Sequence, residues 1–181
     1  MPMRFPTVFL LVALLMIAGC RHDALRVEGY ANLPVGAKQV SIASNQKFLL
    51  PGEIGPLPLP AFPENHALPS GTAVTLCVSY TVTDEGDVQD VQFERFSGEP
   101  CALEQSESLN AMRKSILDTL ESWSYFAAAV CEFETADAAE TSDDECTGAL
   151  SVTPVAVRLA WRFVFTIDSN GNAEVVTRNA R

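Results

Sequence analysis

From Thr72 to Thr83 apolar and polar residues alternate with period two: Val74, Leu76, Val78, Tyr80 and Val82 fall on one side, Thr75, Cys77, Ser79 and Thr81 on the other. This is the pattern of a half-buried strand. Asp84-Glu85-Gly86-Asp87 reads as a turn and Val88 to Ser97 as the return strand. A two-residue Glu85-Gly86 loop sets Val78 against Phe93 and Tyr80 against Val91 on the apolar face, and Ser79 against Gln92 on the polar one. Over 103–123 the period becomes helical, with Leu109, Met112, Ile116, Leu120 and Trp123 forming one stripe. Glu104 and Glu107 stand in its first turns, where the helix dipole favours negative charge. A last long strand is predicted from Val155 to Ile167, with Arg158 and Arg162 opposite its apolar side. Asn170-Gly171 then signals a tight hairpin turn, and Ala173 to Thr177 can return as a fourth strand.

Connectivity fixes an order. A right-handed crossover through the helix places the strand at 72–83 in the centre, the 88–97 strand on one side and the 155–167 strand on the other. The 173–177 strand lies outside the last of these. The expected fold class is therefore α+β, a three- to four-stranded antiparallel sheet with one long helix packed on one face.

Before Ser70 the pattern is different. Residues 51–69 hold six prolines, at 51, 56, 58, 60, 63 and 69, which reads as an extended spacer. Residues 20–50 show only one short strand-like run, Gln39 to Ile42, and read as a tether. Met1 to Gly19 reads as a secretory leader: basic Arg4, an apolar stretch from Val8 to Ala18, then Ile17-Ala18-Gly19-Cys20. This end resembles the lipobox of bacterial lipoproteins. The resemblance implies lipidation of Cys20, cleavage before it, and a membrane-anchored chain without a spanning helix. Arg21 after that cysteine implies the outer membrane, facing the periplasm. The expected layout is signal peptide 1–19, tether 20–50, spacer 51–69 and folded domain 70–181.

An oxidising compartment makes structural disulfides of the other four cysteines. Four cysteines allow three pairings. In the expected topology Cys101 returns to the end of the sheet where the first strand begins, which favours Cys77 with Cys101 and Cys131 with Cys146. The latter pair would close a loop with seven acidic residues and no basic one. The whole chain carries 12 basic and 23 acidic residues, a formal charge of −11, which argues against nucleic acid as a partner. The loop's ligand spacing fits no EF-hand. Only His22 and His66 exist, neither beside a nucleophile, and no phosphate loop or metal motif occurs. An enzyme, a cofactor and a metal site are not expected.

The order of several segments carries a second resemblance. Phe62-Pro63 and Ala67, Gly71 to Leu76, Thr83 to Val91, Phe96-Ser97-Gly98, the helix, Trp123 to Ala127, and Pro154 to Phe163 are together similar to the TonB C-terminal domain family across roughly residues 60–167. The resemblance implies a module that takes an extended segment of an envelope protein, such as a TonB-dependent outer-membrane receptor, as an added strand on its sheet edge. Arg158, Arg162, Val164 and Thr166 on the last long strand are the implied partner-binding residues. The chain departs from the family in having a lipobox where the family has a motor-engaging transmembrane helix, in its short spacer, and in the 173–177 strand that would cover the binding edge. A structural envelope lipoprotein is the alternative these departures leave.

Overall fold

The computed structural model describes residues 42–64, 66, 68–142 and 145–177. The expected leader, Cys20 and most of the tether lie outside the described residues. The protein is mixed α+β with antiparallel sheets.

The alternating run forms β3 (Ala73–Val82), and its return strand is β4 (Val88–Phe93). The helical stripe forms α1 (Glu107–Leu120), capped by Ser106, whose Oγ accepts from the Leu109 amide. The last long strand is β8 (Val157–Ile167), followed by β9 (Ala173–Thr177). These four strands form one sheet in the order β4-β3-β8-β9, as the connectivity argument requires. Leu76, Val78, Tyr80 and Val82 meet Leu109, Met112, Ile116 and Leu120 in a single core with Phe163 and Phe165. β3 is paired along its whole length with β8, from Ala73 opposite Thr166 to Val82 opposite Val157.

The hairpin register holds at Val78 opposite Phe93 and Ser79 opposite Gln92, then shifts by one, so Thr81 faces Gln89. The expected pairing of Tyr80 with Val91 is therefore corrected to a bulge. Asp90 takes the left-handed conformation there, at φ 51°, which a short polar side chain tolerates better than most. At the turn, a Cβ on Gly86 would stand 1.9 Å from the Tyr125 carbonyl oxygen, and the Tyr125 amide donates to the Gly86 carbonyl at 3.0 Å. Glycine is required by this backbone approach as well as by its φ of 92°.

The described residues between 42 and 69, expected as tether and spacer, pair and pack with the rest of the molecule. β1 (Gln46–Leu49) and β2 (Gly52–Glu53) pair with β6 (Ala128–Glu132) and β5 (Tyr125–Phe126). Both pairings share one register, Gln46 opposite Glu132 and Gly52 opposite Phe126, so the two short ribbons form one interrupted ladder. The interruption falls at Pro51, which has no amide to donate. The prolines that follow lie along the core: Leu57, Phe62 and Leu68 pack against it, and the Pro58 and Ala61 carbonyls accept from Trp123 Nε1 (2.9 Å) and Ser115 Oγ (2.6 Å).

Two further corrections concern the acidic loop and the last strand. The segment expected as a loop from 127 to 148 contains β6 and α2 (Ala136–Thr141), the latter capped by the Thr135 hydroxyl. The strand predicted from Val155 breaks at Ala156: β7 (Ser151–Val155) joins β1 and β6 in a three-stranded sheet, and β8 begins the larger one. Pro154 fits β7 because β7 is an edge strand. Both disulfides pair as the layout favoured, Cys77 with Cys101 and Cys131 with Cys146, at Cα separations of 5.4 and 6.0 Å.

Candidate functional site

The residues expected to bind a partner lie on β8, which β3 holds on one side and β9 covers in part on the other. Asp168 builds the connecting turn: Oδ1 accepts from the Asn170 and Asn172 amides and Oδ2 from Asn172 Nδ2, each at 2.8 Å. These bonds, the Asn172 side chain foremost, hold the Asp168 carboxyl below its ordinary value. β9 then pairs from Phe163 opposite Thr177 to Ile167 opposite Ala173. Val164 lies between Thr75 and Val176, and Thr166 between Ala73 and Glu174. The edge expected to receive a partner is thus covered at 163–167 by the chain itself. Among the described residues no strand pairs with the same edge at 157–161.

Arg158 and Arg162 stand on the polar face of the sheet, opposite Thr81 and Cys77 of β3. Arg158 Nη2 donates to the fully buried Ser79 Oγ at 2.6 Å, and Ser79 in turn donates to Glu94, which stands 3.8 Å from Arg158. Arg162 pairs with Glu99, and both side chains are mostly buried. The two arginines thus have different acidic neighbours, Glu94 for Arg158 and Glu99 for Arg162. Glu99 reaches Arg162 because the Cys77–Cys101 bond draws the segment after β4 onto the sheet beside Cys77. The signal for this contact was the spacing of Glu99 two residues before Cys101, combined with the Cys77–Arg162 pairing.

On the opposite face Tyr80 and Tyr125 share a hydrogen bond of 2.7 Å between hydroxyls, surrounded by Trp123. Burial raises both phenols well above the ordinary tyrosine value. His66 sits with its ring edge-on to Phe62, centroids 4.8 Å apart, and its buried Nδ1 has no hydrogen-bond partner among the described residues. Among the described residues no group of three or more His, Cys, Asp or Glu converges in the way a metal ion requires. His22 and the lipidation residue Cys20 lie outside the described residues.

The arrangement offers backbone pairing along β8 with fixed charges beside it, which is the chemistry of strand addition. Compared with models of protein families, with curated proteins and with solved structures, the chain matches none.

Proposed function

We propose that this chain is a membrane-anchored periplasmic lipoprotein whose TonB-like module binds extended segments of envelope proteins, TonB-dependent receptors among them, by pairing along the edge of β8. The observation that carries the reading is the five-residue strand β9 lying on that edge, next to 157–161, where no described strand pairs. The order β4-β3-β8 with α1 between β4 and β8 in the chain supports the likeness to the TonB module. The leader 1–19, followed at once by Cys20, supports the anchor. In this reading β9 is a self-cap: it shields an edge that would otherwise recruit strands indiscriminately, and a partner gains access by displacing it.

Ending the chain after Ile167 tests the mechanism. Binding of extended receptor peptides, followed through the backbone amide resonances of Phe163 to Ile167, should strengthen when β9 is removed. Unchanged affinity would overturn the self-capped reading. A Cys20→Ala chain should leave the membrane fraction if the anchor is correct. The alternative, a structural envelope lipoprotein, predicts recovery of cell-wall or secretion machinery with the lipidated protein and no receptor.

A further inference from the structure

The ladder of β1 and β2 against β6 and β5 has two faces, because paired residues point the same way and successive residues alternate. On one face Lys47 and Leu49 lie with Cys131 and Ala129 over α2 and the second disulfide. On the other, Gly52 is opposite Phe126, and Ile54, whose amide donates to the Ser124 carbonyl, continues the same register. Leu50 precedes Gly52 by two residues and takes the same side. These three large apolar residues are open to water: Phe126 is 67 % exposed, Leu50 64 % and Ile54 48 %. The Phe126 ring lies across Gly52, with Cδ2 3.5 Å from where a Cβ would be. The Phe126 side chain thus occupies the space that Gly52, between Leu50 and Ile54 in the chain, leaves open.

We propose that this patch is a bilayer-contact surface that seats the domain on the acyl-chain boundary of the membrane to which the chain is anchored. The proposal rests on the lipid-anchor reading above. Two features favour a bilayer over a protein partner or a second copy. The first is position: the patch belongs to the first strands of the described chain. Between Cys20 and Ile42 lie 21 residues, which reach at most about 75 Å when fully extended. A surface held that close meets the bilayer at an effective concentration on the order of millimolar, so three residues suffice where they would not for a free protein. The second is charge. Residues 20–50 carry four basic and two acidic side chains, whereas 51–181 carry seven basic and 21 acidic. The anchored end is the one that anionic headgroups attract. The strongly acidic remainder repels a second copy.

Tryptophan in place of Phe126, in the full lipidated chain reconstituted into phosphatidylethanolamine and phosphatidylglycerol vesicles, reads the contact by quenching from brominated acyl chains. Val152→Trp is the matched control: Val152 is 55 % exposed but pairs with Cys131, on the other face of the ladder. Emission from position 126, after subtraction of the parent's Trp123 and Trp161, should fall by about twofold or more in brominated vesicles. Emission from position 152 should not. Equal quenching at the two positions, none at 126, or shielding of 126 only after envelope proteins are added would each overturn the proposal. The mass of the Cys20 peptide tests the anchor separately. If Cys20 carries no acyl chains, the same two variants tethered through an N-terminal histidine tag to nickel-chelating lipids still decide whether the patch enters the bilayer.

Discussion

The four-stranded sheet and the three-stranded one each hold a disulfide, but they rest on packing to different degrees. Around β3, α1 and β8, thirteen buried side chains make one continuous core, including Tyr80, Met112, Ile116, Phe163 and Phe165. Around β6 and α2 the buried set is Cys131, Phe133, Ala139 and Cys146, two of them the halves of a disulfide. The first region has its own disulfide, Cys77–Cys101, but thirteen packed side chains stand beside it. The second has four buried side chains, so covalent loop closure carries a larger share of its order. The lesson is that one short chain weights packing and crosslinking differently on the two sides of Ala156, where β7 of the smaller sheet runs into β8 of the larger.

Matched truncations test the contrast most severely. Phe163→Ala should lower global unfolding stability by about 3–5 kcal/mol in denaturant titrations, as large-to-small changes in a closed core do. Phe133→Ala, equally buried, should instead raise amide exchange in α2 and β7 while leaving β3 and β8 protected. An equal global loss would show that the two regions unfold as one unit. Removal of the second disulfide in Cys131→Ala/Cys146→Ala comes next. Its 15-residue separation corresponds to about 3 kcal/mol of loop-closure entropy, and the loss should again be local by exchange. Within the larger core, Tyr80→Phe strands the Tyr125 hydroxyl and should cost about 1–3 kcal/mol, whereas Tyr80→Phe/Tyr125→Phe should recover most of that.

The smallest effect is at the β9 turn. Because its hydrogen bonds, those to Asn172 foremost, hold the folded Asp168 carboxyl below its ordinary pKa, its contribution is complete above the ordinary value and is lost as pH falls through the lower, folded one. Amide shifts of Ala173 to Thr177 should move in that acid window before those of β3 do.

The larger sheet was legible because its signals are local and strong. Ten residues alternate in β3, a stripe of helical spacing marks α1, and Asn170-Gly171 marks the β8–β9 turn. The smaller sheet was not. β1 is a four-residue strand beside a proline-rich run, β6 opens on two alanines, and their partners lie far apart in sequence. Proline content points to an extended spacer, but a segment with fewer amides to satisfy can also lie along a core, as Leu57 and Phe62 show. Acidic composition between Cys131 and Cys146 likewise masked a helix that needs only the Thr135 cap and the buried Ala139. At the candidate site, the arginines and the capping strand were visible in the pattern. Glu99 was not, because a disulfide rather than any strand period brings it to Arg162.

The interrupted ladder also bears on the order in which the chain acquires structure. β3 and β4 are joined by a short turn and close early, but Gln46 of β1 waits for Glu132, 86 residues later in the chain. Closing a loop of that length costs more chain entropy than closing a hairpin, so β1 is the later of the two to pair. Until then, four strand-forming residues are without their partner, followed by Pro51 and then by prolines at 56, 58, 60 and 63. A foreign strand that captured β1 would find no continuous row of amides beyond it to extend the pairing. The proline-rich run is therefore a safeguard for an unpaired nascent strand, and amide labelling during refolding should find β3 and β4 protected before β1.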